Sequence, residues 1–134
     1  MEQHIVELMN RAREAMMHSY SPYSNFPVGC AIRMKDGKIY TGVNIENVSF
    51  GATNCAERSA IFSAVSQGYR PKSIESIAVA GQTEDFLSPC SICRQVMVEF
   101  CDADTPVYLT RQDGTILTMT VSELVPFAFD SMDI

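Results

Sequence analysis

Val28-Gly29-Cys30-Ala31-Ile32-Arg33-Met34 and Ile39-Tyr40-Thr41-Gly42-Val43-Asn44-Ile45 flank Lys35-Asp36-Gly37-Lys38. Two short β-prone runs around Asp-Gly predict a hairpin, because that dipeptide tolerates the positive φ angles of turns that match strand twist. The signal returns near the C-terminus, where Thr105 to Thr110 and Thr115 to Met119 surround Asp113-Gly114. Between the hairpins, the spacing predicts a helix that starts at Cys55 and runs from Ala56 to Gln67, with Asn54 as N-cap, Gly68 as its stop and Pro71 beyond. Ile74 to Ala80 reads as a buried strand. Ser88-Pro89 then reads as an N-cap and first-turn proline, opening a helix that carries Cys90, Cys93 and Val96 to Phe100.

Outside this middle section, Ile5, Leu8, Met9, Ala12 and Met16 fall at helical spacing, so an amphipathic helix precedes the first hairpin and stops before Pro22. Thr120-Val121-Ser122-Glu123 has the form of a capping box opening a short last helix. The predicted order is α-β-β-α-β-α-β-β-α. Such alternation places the chain in the α/β class, as three α/β/α layers with a central mixed sheet of about five strands.

The chain of 134 residues is 46% hydrophobic and 19% charged, which suits a single domain over residues 1–134. Ten Lys and Arg against sixteen Asp and Glu give a net charge of −6. That balance opposes the phosphate-neutralising surface of a nucleic-acid binder and points to a small ligand. No apolar run approaches the roughly 18 residues that span a membrane, and no basic and then apolar leader opens the chain. A cytoplasmic protein is expected, with neither membrane nor nucleic acid as partner. Five cysteines, an odd number without an export signal, fit metal or redox chemistry better than a disulfide framework.

Two predicted helices begin with related residues, Asn54-Cys55-Ala56-Glu57 and Pro89-Cys90-Ser91-Ile92-Cys93. Unpaired N–H groups and the positive dipole end at a helix start favour thiolates, so converging N-termini would present three of them. Three thiolates from Cys55, Cys90 and Cys93 leave a tetrahedral zinc one open position for water, as catalytic zinc sites do. Glu57 is the candidate proton carrier for that water. Residues two apart point to nearly opposite sides of a regular helix, so spacing alone leaves the Cys55 and Glu57 geometry open. A thiol-redox pair explains neither Cys55 nor Glu57. A closed four-cysteine site would need Cys30 or Cys101, which read as small core residues.

Cys-Ala-Glu followed by Pro-Cys-x-x-Cys is similar to the zinc nucleoside deaminase signature. The resemblance extends through Ser21-Pro22-Tyr23-Ser24-Asn25-Phe26-Pro27-Val28-Gly29, Gly42-Val43-Asn44-Ile45-Glu46-Asn47, Arg58, Arg94-Gln95 and Leu124-Val125-Pro126-Phe127-Ala128-Phe129. Together these segments resemble the small, homotetrameric type of cytidine deaminase. That resemblance implies one Zn2+ per chain, and Asn44 and Glu46 on the ribose 3′-hydroxyl. It also implies Phe26 lining the pyrimidine pocket and the Ala56 backbone N–H on the base carbonyl. Arg58 would hydrogen-bond the zinc thiolates, and Phe129 would enter a neighbouring subunit's site, so that active sites are shared in a homotetramer. The implied reaction is hydrolytic deamination of cytidine and 2′-deoxycytidine to the uridine products, a step of pyrimidine salvage. A deaminase for a cytosine nucleoside antibiotic of the blasticidin type, and a non-catalytic zinc or thiol protein, are the alternatives. Ser91-Ile92 and Cys30 stand where the family commonly has smaller residues, which bears on pocket shape.

Overall fold

Both Asp-Gly dipeptides turn the chain as expected: Gly37 has φ of 94° and Gly114 of 86°, values that cost a residue without Cβ little. The computed structural model describes residues 2–132. The first turn joins β1 (Gly29–Met34) to β2 (Ile39–Val43), and the second joins β4 (Pro106–Thr110) to β5 (Ile116–Thr120). Both pairs are antiparallel, with Cys30 opposite Gly42 and Tyr108 opposite Thr118. The central strand β3 (Ile74–Ala80) pairs antiparallel with β1 and parallel with β4, which gives the order β2-β1-β3-β4-β5. The five-stranded mixed sheet is as predicted.

Alternation along β1 assigns the two faces. Cys30, Ile32 and Met34 look toward α2 (Ala56–Ser66) and α3 (Ser91–Phe100), where they join Ile61, Ile77, Val79 and Met97 in the larger core. Ala31 looks the other way, with Ala78, Ala80 and Tyr108, onto Leu8, Met9 and Ala12 of α1 (Gln3–Met16). Small residues on that face let α1 approach closely. A Cβ built on Gly29 would lie 2.0 Å from the Ala12 carbonyl oxygen. The last helix, α4 (Val121–Leu124), begins with the predicted capping box, in which Thr120 and Glu123 satisfy one another's backbone N–H groups.

The starts of α2 and α3 differ from the sequence-based expectation. Cys55 and Cys90, not Asn54 and Ser88, are the N-caps, with extended dihedrals of −76°/158° and −69°/166°. The Asn54 amide instead donates to the Ser59 hydroxyl at 3.2 Å, and Ser88 accepts from Arg94. The end of α2 is as expected, since Gly68 follows it with φ of 106°. Cys30 and Cys101 are 0% and 1% exposed, in keeping with core roles. No helix among the described residues is long and apolar enough to cross a membrane.

Candidate metal centre and active site

Two cysteines serve as N-caps, and Cys55 and Glu57, whose relation spacing left open, both line one cavity. An N-cap residue lies outside the helical dihedrals, so its side chain crosses the helix end and meets the residue at the third helical position. At α3 the pair that meets is Cys90 and Cys93. At α2 it is Cys55 and Arg58, with Arg58 Nη2 donating to Cys55 Sγ at 3.2 Å.

The two helix ends converge. The Sγ atoms of Cys55, Cys90 and Cys93 all lie within 4.8 Å of one another, and Cys55 Sγ is 3.7 Å from Cys90 Sγ. A tetrahedral zinc with Zn–S bonds of about 2.3 Å would separate its sulfurs by about 3.8 Å. The spacing and the soft donor set therefore fit that ion. None of the three is in a disulfide; Cys93 is buried, Cys55 half-buried and Cys90 exposed.

Electrostatics favour metal binding here. The Cys55 thiol is held down to about 5, first by the Cys93 S–H that it accepts and also by Arg58. Cys93 is raised correspondingly, because Cys55 takes its hydrogen bond and burial disfavours its charge. The pair holds a proton that a cation of the right size can displace. Burial opposes the charge on Arg58, yet the sulfurs of Cys55 and Cys93 outweigh it and raise that pKa.

Glu57 is 5% exposed beside this cluster. Burial pushes its carboxyl up to about 7, its backbone opposes the shift, and the negative Cys55 adds to it. Beneath it, burial and then the Glu57 charge push the Cys30 thiol well up, so Cys30 is an inert neighbour.

A cavity of about 300 Å³ opens in front of these groups. Phe26, Asn44, Glu46 and Ala56 all line it, as do Cys55, Glu57 and Cys90. Asn44 and Glu46 are, however, more engaged with protein than the sequence suggests. Asn44 Oδ1 accepts from the Val28 N–H at 2.9 Å and from the Ser19 hydroxyl, while Nδ2 donates to the Phe26 carbonyl at 2.8 Å. Of its two amide hydrogens, the second has no partner among the described residues. Glu46 Oε1 accepts the Tyr23 and Ser24 N–H groups at 3.0 and 3.1 Å, and Oε2 accepts the Ser24 hydroxyl. Those bonds, the Ser24 hydroxyl first, hold Glu46 below its usual range. The two side chains fasten the 19–28 loop, and with it Phe26, over the cavity.

Phe129 is the exception. This residue is 60% exposed and is not among those lining its own chain's cavity. Sequence reasoning placed none of Ser24, Thr53, Leu87 and Ser88 in the site, though all four line that cavity. Ser24 lies inside a recognisable motif and Ser88 directly before one, but their aim depends on loops fixed elsewhere in the fold.

Residues 2–109 match the family described as "Cytidine and deoxycytidylate deaminase zinc-binding region". The chain is 48% identical to a cytidine deaminase of Sporosarcina psychrophila, over 97% of this chain and 94% of that protein. It is 51% identical to a cytidine deaminase of Halalkalibacterium halodurans, over 94% of both chains. Among solved structures, cytidine deaminase from Burkholderia pseudomallei superposes with a TM-score of 0.90 at 44% identity, covering 96% of this chain and 100% of that one. With identity of this order carried across nearly the whole fold, the chain belongs to the cytidine deaminase family of zinc-binding enzymes.

Proposed function

We propose that this protein converts cytidine and 2′-deoxycytidine to uridine and 2′-deoxyuridine, consuming water and releasing ammonia, as a step of pyrimidine salvage. The observation that carries the reading is the buried Glu57 carboxyl beside three convergent thiols, with Glu57, Cys55 and Cys90 lining a nucleoside-sized cavity. A non-catalytic metal protein has no use for a buried acid there.

Zinc, when bound by Cys55, Cys90 and Cys93, lowers the pKa of water to near neutrality and so supplies the hydrolytic nucleophile. Glu57 moves the protons: it takes one from the attacking water and delivers it to N3 of the base, so that the ring can accept electrons, and then carries the remaining proton of that water to the departing amino nitrogen at C4. A carboxyl poised near neutrality can give and retake a proton at the working pH. The Ala56 N–H, at the first helical position of α2, has no acceptor within its helix and can donate to the base carbonyl. Phe26 offers its ring face to the pyrimidine. Asn44 donates its remaining N–H to the ribose 3′-hydroxyl, while Glu46 Oε2 accepts from it. Arg58 offsets the negative charge of the three thiolates, which would otherwise weaken the metal's pull on its water.

Phe129, exposed in its own chain, completes the site of a neighbouring copy, and the working unit is a homotetramer. Residues 1–134 act as one domain. Five unpaired thiols support a reducing, cytoplasmic location.

Steady-state kinetics on cytidine, 2′-deoxycytidine, 3′-deoxycytidine and free cytosine test the reading. The first two should be comparable and the last two poor, because a missing hydroxyl leaves desolvated partners unpaired at about 1–3 kcal/mol per group. Efficient turnover of free cytosine would reduce Asn44 and Glu46 to loop fasteners.

A further inference from the structure

Next to Cys93 on α3, the half-buried guanidinium of Arg94 spreads its nitrogens over two segments far apart in sequence. Nε donates to the Pro89 carbonyl at 2.8 Å, Nη2 to the Ser88 hydroxyl, and Nη1 to the Leu124 carbonyl at 3.1 Å. The Arg94 backbone N–H adds a bond to the Cys90 carbonyl at 2.9 Å. Residue 94 thus touches every residue of the 88–90 turn. That turn delivers Cys90, the exposed sulfur of the three, and its Ser88 lines the cavity.

The adjacent Gln95 donates from Nε2 to the Phe129 carbonyl at 3.0 Å. Two neighbouring side chains of one helix therefore fasten the end of α4 and the segment beyond it.

We infer that Arg94 is a positioning residue of the metal centre: its guanidinium holds the Ser88–Cys90 turn in register with Cys55 and Cys93, and ties that turn to the C-terminal segment. The inference rests on Cys90 being a zinc ligand, as in the reading above. Arginine suits the task because its planar fork can serve three acceptors at fixed angles, whereas a lysine ammonium is a point charge that cannot reproduce them. Cys90 sits at an N-cap with extended dihedrals, so its sulfur direction follows the turn before it more than the helix after it. A loosened turn leaves Cys93 in place and lets Cys90 swing.

The test uses the full-length, metal-loaded protein, with Arg94→Lys, which keeps the charge, and Ser88→Ala, which removes a single partner. Zinc transfer to a chromophoric chelator, the absorption spectrum of the cobalt(II)-substituted protein and thermal melting are measured together. Arg94→Lys should release zinc at least about tenfold faster than the parent, the loss expected for charged hydrogen bonds, and its cobalt ligand-field bands should change. Ser88→Ala should move both in the same direction by less. Arg70→Lys, which alters an exposed guanidinium bonded to the Tyr69 carbonyl, should match the parent. Parental release rates and parental cobalt spectra in both Arg94→Lys and Ser88→Ala would overturn the inference, even if melting temperatures fell. A parent that holds zinc but frees no ammonia from cytidine would defeat the deaminase reading instead, and the release rates would still decide the role of Arg94.

Discussion

Gly42 on β2 is where the first turn of α2 presses on the sheet, and Gly42→Ala should damage both stability and chemistry. A Cβ added there would lie 2.3 Å from Ala60 N, 2.6 Å from the Ala56 carbonyl oxygen and 2.9 Å from Ala60 Cα. Ordinary contacts need about 3.5 Å. All three obstacles are backbone, so no rotamer change relieves them, and α2 must retreat by about 1 Å. Overpacking of this kind costs about 1–3 kcal/mol, and the upper part of that range applies because a helix must move. At about 4 °C per kcal/mol, melting should fall by roughly 8–12 °C when parent and variant are compared at equal concentration. The retreat also carries Cys55, Glu57 and Arg58 away from Cys90 and Cys93. A displacement of about 1 Å at reacting groups can cost about 10²-fold in rate. Scanning calorimetry and ammonia release from cytidine measure the two effects. Gly51→Ala is the control, since nothing lies within 4 Å of its would-be Cβ and its φ is not positive, so it should stay within about 0.5 kcal/mol of the parent. A Gly42→Ala protein with parental melting and parental turnover would refute the claim that close seating of α2 on β2 sets the site.

Metal analysis of the purified protein should find about one zinc per chain; Cys55→Ala, Cys90→Ala or Cys93→Ala should lose it, whereas Cys30→Ala and Cys101→Ala should retain it. Full occupancy in Cys90→Ala would sink the ligand assignment. Glu57→Gln should keep its zinc and lose about 10²- to 10⁴-fold in kcat, and a variant with near-parental kcat would move proton transfer to another group. Light scattering should report about four times the 14.9 kDa chain mass, and Phe129→Ala should raise KM; an active monomer would remove Phe129 from the site.

Turn chemistry and periodicity made most of the fold legible. Asp36-Gly37 and Asp113-Gly114 sit at the two hairpin turns, Gly68 follows α2, and Thr120 with Glu123 caps α4. These are local signals, because each depends on what a few adjacent backbones can adopt. Cys55, Cys90 and Cys93 were legible for the same reason, since residue type and position relative to a helix start are sequence properties.

The N-caps were misread because capping is a competition. Asn54 and Ser88 are good caps in isolation, but Ser59 and Arg94 draw their side chains away. That outcome lies in the packing of several segments and not in any one of them. The same holds for Asn44 and Glu46, whose loop-fastening bonds run to residues 16 to 25 positions away.

By itself, then, the sequence determined the element types, the turns and the identity of the chemistry-bearing groups, all consequences of short-range sterics and side-chain chemistry. Tertiary structure alone decided the order β2-β1-β3-β4-β5, with β3 and β4 parallel. It also decided the 3.7 Å approach of Cys55 and Cys90 sulfurs from residues 35 apart, and the burial that lifts Glu57 toward neutrality. Each of these depends on which surfaces exclude water against one another, and no local run of residues carries that information.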